Sequence, residues 1–349
     1  MNSSVHPGKP HVLVVGGAGY IGSHMVKRLQ RDGYTPIVLD NLSQGRRSAV
    51  GSAELIVGEL GDSSVTDVIF QAWPIAAVMH FASFIQVGES LQKPAAYYAN
   101  NVGNTIALLQ AMVRHGVSRF IFSSTAAIFG NPVYVPIDER HPQLPINPYG
   151  RSKLMVEQVL QDFETAYDVR SCCLRYFNAA GADPEGELGE CHEPETHLIP
   201  LVLQAASGRR PSVTVFGRDY DTPDHTCIRD YIHVNDLADA HLLALEALLA
   251  GADSMRFNLG NGAGYSINEV IETARRVTGR PITVCDGPRR AGDPARLVAD
   301  ASAAREQLGW TPKLAELDTI IAHAWAWEQR HALSHGALAR PERRLSAAH

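Results

Sequence analysis

An apolar strand that runs into a glycine-rich turn and straight on into an amphipathic helix leaves few folds open. Residues 11–29, HVLVVGGAGYIGSHMVKRL, have this form, and Gly17, Gly19 and Gly22 give it a G-x-G-x-x-G spacing with Gly16 one step earlier. A bare match of this kind is weak. Here it follows a strand, opens a helix, and precedes Asp40, which ends the next strand eighteen residues after Gly22. That context is the dinucleotide fingerprint. Gly16 and Gly19 permit the tight turn and the close approach of a pyrophosphate at the positive end of the helix, and Gly22 lets helix and sheet pack closely. Asp40 is placed to accept both hydroxyls of an adenosine ribose and to repel a 2′-phosphate, so NAD is expected rather than NADP. Arg46 and Arg47 are a basic pair close by that could serve such a phosphate.

The rest of the first half repeats the alternation. Apolar runs at 36–40, 54–58, 77–81, 119–124 and 169–177 read as strands, with helices expected at 21–32, 63–72, 94–115 and 148–166. Near-continuous apolar strands separated by helices predict a parallel sheet covered on both faces, a doubly wound α/β (Rossmann) fold that binds its ligand beyond the carboxyl ends of the strands. After residue 178 glycine, proline and charge crowd the segment NAAGADPEGELGECHEPETH (178–197), a long crossing loop, and later helices at 196–208, 267–278 and 316–328 mix with short strands. The chain therefore divides into a dinucleotide-binding domain, 11–178, and a smaller mixed α/β domain, 179–335. A segment at about 230–260 is expected to return to the first domain, and 1–10 and 336–349 to be loose ends.

Composition excludes several classes. A formal net charge of −6, with no basic run, argues against nucleic-acid binding. The first ten residues lack the apolar core of a signal peptide, and no apolar segment approaches the length of a membrane span. The five cysteines, Cys172, Cys173, Cys191, Cys227 and Cys285, have no C-x-x-C spacing, so no disulfide framework and no metal site is expected, and a cytoplasmic location fits.

The stretch INPYGRSKLMVEQVLQDF (146–163) poses a separate question. Asn147 and Pro148 look like an N-cap and a first-turn proline. Tyr149 and Lys153 then lie about 40° apart on the helix, on the side of Val156, Leu160 and Phe163, the face expected to turn inward. A phenol and an ammonium on a buried face need a reason, although Tyr-x-x-x-Lys arises often by chance.

With the glycine fingerprint, FSSTAAIFG at a strand end and NPYGRSK, the chain resembles the extended short-chain dehydrogenase/reductase family. HFASFIQVGESLQKP, YYANNVGNT, LRYFNAAGA, CIRDYIHVNDLADAH and RRAGDP are similar to the NAD-dependent sugar-nucleotide epimerases within it, over residues 11 to about 330. The resemblance implies Thr125, Tyr149 and Lys153 as catalytic residues. For NAD it implies Gly16, Gly19, Tyr20, Ile21 and Gly22 at the turn, then Asp40, Asn41, Leu42, Ser43, Glu59 and Leu60. Phe81, Ala82, Ser83, Asn100 and Phe177, with Tyr149 and Lys153, complete that set. For a UDP-sugar it implies Thr125, Tyr149, Asn178, His197, Leu198, Thr214, Val215, Phe216, Arg229, Arg290, Asp293 and Leu297. The family pattern is departed from at Glu59 (usually Asp), Ile85 (Lys), Thr125 (Ser) and His197 (Asn). His80 reads as a structural histidine.

The implied reaction is C4 epimerisation of UDP-glucose and UDP-galactose, reaching UDP-N-acetylglucosamine if Leu297 leaves room beside C2. Tyr149 would be the base, its pKa of about 10 lowered by Lys153 and the positive nicotinamide. A dehydratase of the same family needs an acid and a base after the catalytic threonine, where this chain has Ala126 and Ala127. A uronate epimerase or decarboxylase stays open, as does an NAD-holding sensor without catalysis. A homodimer through helices 94–115 and 148–166 is implied, with no nucleic-acid or membrane partner.

Overall fold

The computed structural model describes residues 9–290 and 293–338. Of the loose ends expected at 1–10 and 336–349, residues 1–8 and 339–349 fall outside these, whereas Lys9 pairs with Glu246 at 3.7 Å and the last helix runs on to Leu338. In chain order the first half is β1 (His11–Val15), α1 (Tyr20–Arg31), β2 (Thr35–Asp40), β3 (Glu54–Val57), α2 (Ser63–Ala72), β4 (Ile75–His80), α3 (Val87–Gln92), α4 (Pro94–Tyr98), α5 (Asn104–Arg114), β5 (Arg119–Thr125), α6 (Pro148–Tyr167) and β6 (Arg170–Tyr176). The second half is β7 (Asn178–Ala180), α7 (Leu198–Ala206), β8 (Val213–Phe216), β9 (Ile228–Arg229), β10 (Tyr231–His233), α8 (Val234–Leu249), β11 (Met255–Leu259), β12 (Tyr265–Ser266), α9 (Ile267–Thr278), β13 (Val284–Gly287), β14 (Arg296–Leu297), α10 (Ser302–Leu308) and α11 (Leu317–Leu338).

Seven parallel strands form the main sheet in the order β3-β2-β1-β4-β5-β6-β11. The order reverses between β1 and β4, and a doubly wound sheet binds ligands in the crevice beyond the strand ends at that point. Period-two alternation sorts the side chains. Val12, Val14, Val38, Met79 and Leu174 pack under α1 and α8, whereas Leu13, Val15, Leu39, Val78 and Phe122 pack under α2, α5 and α6. Because both faces are covered, a one-residue slip of β1 would exchange two apolar sets at little gain, and hydrogen-bond register to β2 and β4 is left to fix it.

The expected helix 94–115 is interrupted. Residues 99–103 form a π-helical turn between α4 and α5, a distortion that recurs at functional sites. α6 begins as its sequence predicts: the Asn147 side chain accepts from the Gly150 amide at 2.8 Å and Pro148 occupies the first turn. A second lobe packs α7, α9 and α11 on β8 and β13. The five cysteines form no disulfide. No helix among the described residues is long and apolar enough to cross a membrane.

Candidate active site

The glycines of the turn each meet a different steric demand. At Gly16, φ is +77° and an added Cβ would lie 2.6 Å from the Ala82 amide nitrogen, so this residue closes the turn onto the end of β4. At Gly22 a Cβ would meet the Gly16 carbonyl oxygen at 2.2 Å, which seats α1 against the turn. At Gly19 the same atom would meet only that carbonyl, at 3.4 Å. The start of α1 is thus open where a pyrophosphate would sit, and the cradle fits a dinucleotide.

Asp40 is buried and fixed, with Oδ2 accepting from the Ala18 amide at 2.9 Å and Oδ1 from the Leu42 amide at 2.8 Å. Each oxygen keeps a lone pair for a ribose hydroxyl. Leu42 holds φ +59°, and the Ser43 amide donates to Asn41 Oδ1 at 3.0 Å, which shapes the loop that follows Asp40. Asn41 Nδ2 donates to both Glu59 oxygens at 3.2 Å, so the exposed Glu59 is pinned at the rim. Three expected contacts are restricted to main-chain atoms or edges. Leu60 faces the core, Ile21 packs against the opposite apolar cluster, and Tyr20 directs its hydroxyl to the Gly181 carbonyl at 2.7 Å, away from the turn. Arg46, one of the basic pair after Asp40, is already engaged, stacked over Trp327.

Phe81, Ala82 and Ser83 continue from β4, with the Phe81 amide on the Val15 carbonyl. Ser83 Oγ accepts from Lys153 Nζ at 2.8 Å, and the Ser123 carbonyl accepts from it at 2.7 Å. Lys153 is 2% exposed and also lies over the Phe122 ring. Burial lowers it to about 7, against an opposing pull from the Glu157 carboxylate. Thr125 ends β5, accepts the Ala127 amide at 3.1 Å, and hydrogen-bonds the Tyr149 phenol. The lowered tyrosine pKa expected from the sequence is not what the protein alone produces. Burial pushes Tyr149 up to about 12, only partly offset by Thr125, because a charge count leaves out desolvation.

On the substrate side, strand alternation on β8 turns Thr214 and Phe216 outward and buries Val215 in the second lobe's core, so Val215 can offer only its backbone. Arg290 lies 4.0 Å over the Phe216 ring, and buried Arg229 pairs with Asp293. Arg290 and Asp293 line a cleft of ≈ 770 Å³ with Arg289, Arg296, Asn131 and Val135. Asn178 is held by the Asp230 carbonyl at 2.8 Å. Leu297 joins Phe177, Leu154 and Ala126 in a small apolar cluster beside Thr125. His197 caps α7 with its Nδ1 turned to Glu190 at 2.6 Å, and Leu198 packs on the second core.

The fold thus brings Thr125, Tyr149, Lys153 and Ser83 together, and Arg229, Asp293, Arg290 and Phe216 in a second group. His197 is drawn into a cluster of its own. Four residues escaped the sequence reading. Asn101 bonds the Phe84 backbone through both side-chain atoms and reaches Ser152 Oγ at 3.0 Å, next in the chain to Lys153. Glu157 pairs with Arg175, and each side chain is 2% exposed. Asp230 accepts from the amides of Asn261, Gly262 and Ala299. Only Glu157 carried a signal, as a charge on the inward face of α6. Asn100, half-buried in the π turn, donates to Asn101 Oδ1 at 3.0 Å.

The sequence model of the NAD dependent epimerase/dehydratase family matches residues 12–260. A curated UDP-glucose 4-epimerase of Halalkalibacterium halodurans is 51% identical over 320 residues, 92% of this chain and 96% of that protein. The crystal structure of UDP-glucose 4-epimerase from Brucella ovis in complex with NAD superposes with a TM-score of 0.89 at 50% identity, over 90% of this chain and 97% of that one. The UDP-Glc/GlcNAc 4-epimerase of Campylobacter jejuni gives 0.81 at 43% identity, over 92% and 99%. With the glycine turn, Asp40 and the Tyr149–Lys153 pair in one crevice, the chain belongs to the NAD dependent epimerase/dehydratase family.

Proposed function

We propose that this protein interconverts UDP-glucose and UDP-galactose at C4 through a transient 4-keto sugar, with NAD retained throughout. The observation that carries the reading is the meeting of Thr125, Tyr149 and a fully buried Lys153 at the carboxyl end of β5, beside the glycine turn. NAD would be held by the turn, Asp40 and Ser83, and when bound it supplies two-electron redox chemistry at C4. Tyr149 takes the proton of the 4-hydroxyl and later returns it, while Thr125 holds the phenol and the reacting oxygen in line. Two of the three Lys153 N–H bonds go to Ser83 and Ser123, which leaves one for a ribose hydroxyl.

Bringing the phenol from about 12 to neutrality takes about 7 kcal/mol. One cation at about 5 Å supplies about 3 kcal/mol at an effective dielectric of 20. Lys153 alone therefore falls short, and a second positive charge, which an oxidised nicotinamide would supply when bound, is needed for the rest.

The lobe beyond residue 178 grips UDP. Arg290 is oriented by Phe216 and Arg229 by Asp293, and guanidinium forks suit a diphosphate. The hexose is held loosely enough to turn over between the two half-reactions. Residues 11–178 with about 230–260 serve the cofactor, and 179–335 mainly the sugar nucleotide. Two copies would pair through helices 94–115 and 148–166, a reading supported by exposed Met155 on α6 and by exposed Val87 and Leu91 on α3, which packs against α6. A reducing, cytoplasmic setting suits the unpaired thiols buried in β6.

The test is incubation of the purified protein with UDP-galactose, without added NAD, followed by separation of the products. UDP-glucose is expected. Stoichiometric accumulation of NADH instead would replace the epimerase with a dehydrogenase. A dehydratase is disfavoured because Ala126 and Ala127 offer no proton donor or acceptor beside Thr125.

A further inference from the structure

The charged loop between β7 and α7 contains the sequence ECHEPETH, residues 190–197. Its composition is that of a crossing loop, and the cysteine spacing predicts no metal there. Folded, it brings four donors of mixed type to one point. The ligand atoms of Glu190, His192, Glu195 and His197 all lie within 4.8 Å of one another. His197 Nδ1 is 2.6 Å and His192 Nδ1 3.1 Å from Glu190 Oε1, and His192 Nδ1 is 3.8 Å from Glu195 Oε2. In a tetrahedron with bonds of about 2.0–2.1 Å, neighbouring donors stand about 3.3 Å apart. The observed spacing brackets that value.

The surroundings hold the donors in place. Glu195 Oε1 accepts from the amides of Thr196 and His197 at 2.7 and 2.8 Å, leaving Oε2 to face the cluster. Trp327 Nε1 donates to the Glu190 carbonyl at 2.9 Å, and the Tyr20 ring meets His192 edge-on. The two carboxylate side chains are only 6% and 5% exposed, yet among the described residues their ion pairs go to these two imidazoles and to no lysine or arginine. Without an ion, and against its burial, the Glu190 carboxylate holds His197 up, to about 10, so that imidazole carries a proton. Once a metal has displaced it, two carboxylates and two imidazoles carry a charge of −2, which a divalent cation balances. An N₂O₂ set of this kind selects a first-row transition ion over magnesium or calcium.

We propose that Glu190, His192, Glu195 and His197 bind one first-row divalent cation of the zinc class. The ion staples this loop beside the cofactor turn. His197 enters through Nδ1, so its Nε2 stays available for the sugar-nucleotide contact, and the two roles do not compete.

The test uses the full chain, stripped with a chelator, desalted and titrated with Co²⁺. About one ion per chain is expected, with the intense visible bands of four-coordinate cobalt, and Zn²⁺ should displace it and bleach them. His192→Ala and Glu190→Gln should each weaken binding at least about tenfold, in chains whose circular dichroism without metal matches wild type. No cobalt bands in wild type, or equal affinity in wild type and His192→Ala, overturns the proposal. Should either variant misfold, anomalous diffraction at the zinc edge from a Zn²⁺-soaked wild-type crystal decides. A peak among these four side chains supports the site, and its absence there at full occupancy elsewhere refutes it.

Discussion

Replacing Glu157 by glutamine tests the charge behind Lys153, the lysine proposed as catalytic, without touching the cleft lined by Arg290 and Asp293. Glu157 lies one helical turn beyond Lys153 on α6 and accepts from Ser124 Oγ at 2.5 Å and from Arg175 Nε and Nη2 at 3.0 and 2.6 Å. Burial holds Lys153 near 7, and the Glu157 carboxylate is the pull in the other direction. At a helical i,i+4 spacing of about 6 Å and an effective dielectric of 20, one carboxylate raises a lysine by about 2 pKa units. Without it, the ammonium form, present below the pKa, is lost at lower pH. The alkaline limb of kcat/KM for UDP-galactose should therefore move one to two units toward acid, about. Arg175 would also be left as a buried charge with no counter-ion, at a cost of about 3–5 kcal/mol. The assay is a pH profile of kcat/KM together with urea unfolding. Adding Arg175→Met removes the orphaned charge, so the double variant should regain stability while keeping the displaced limb. A folded variant whose alkaline limb coincides with wild type would refute the coupling.

Tyr149→Phe should lower turnover by at least about a hundredfold, as for loss of a positioned acid–base group, while UDP affinity measured by calorimetry stays put; near-normal turnover would mean the base is another residue. Leu297→Tyr should reduce turnover on UDP-N-acetylglucosamine far more than on UDP-glucose, because the ring would fill the space beside Ala126 and Phe177; equal loss on both substrates removes Leu297 from specificity. Stability should fall as pH drops from 7 to 5. Burial holds His24 and His241 near 4 and His80 near 3, all below the unfolded value of 6.5, so the unfolded chain binds more protons in this window. Three such groups amount to about 5 kcal/mol between pH 7 and 5. A flat urea midpoint across that range would show that these imidazoles are already protonated in the folded state.

What could be read in advance followed from local rules. The glycine turn, the six apolar runs and the Asn147–Pro148 start of α6 each announce themselves within a few residues, and the structure places them as expected. The π turn at 99–103 could not be foreseen, since it is set by Asn101 reaching across to Phe84 and Ser152, fifty-one residues away in the second case. α8 was missed as a helix because its sequence, VNDLADAHLLALEALL, follows β10 with no loop and is apolar on nearly every side, the mark of a helix buried all round. The height from which the Tyr149 phenol must be brought down is illegible for a different reason. Desolvation depends on what surrounds the phenol, and that is a property of the assembled fold.

Strand β11 has a consequence for how the chain is born. It pairs with β6 in register, Met255 to Cys172 through Leu259 to Tyr176, yet it lies some eighty residues later in the chain. α8, which precedes it, supplies Leu237, Leu242, Leu245 and Leu248 to cover one face of the sheet. A nascent chain that has reached only Asn178 therefore carries an unpaired outer strand and an uncovered apolar face. Such an edge is a template for pairing with other chains. The Rossmann half is not a module that folds first and waits. Its sheet closes only after the intervening lobe has been made, which commits both halves to one late, cooperative step and leaves the unfinished chain in need of protection while it is synthesised.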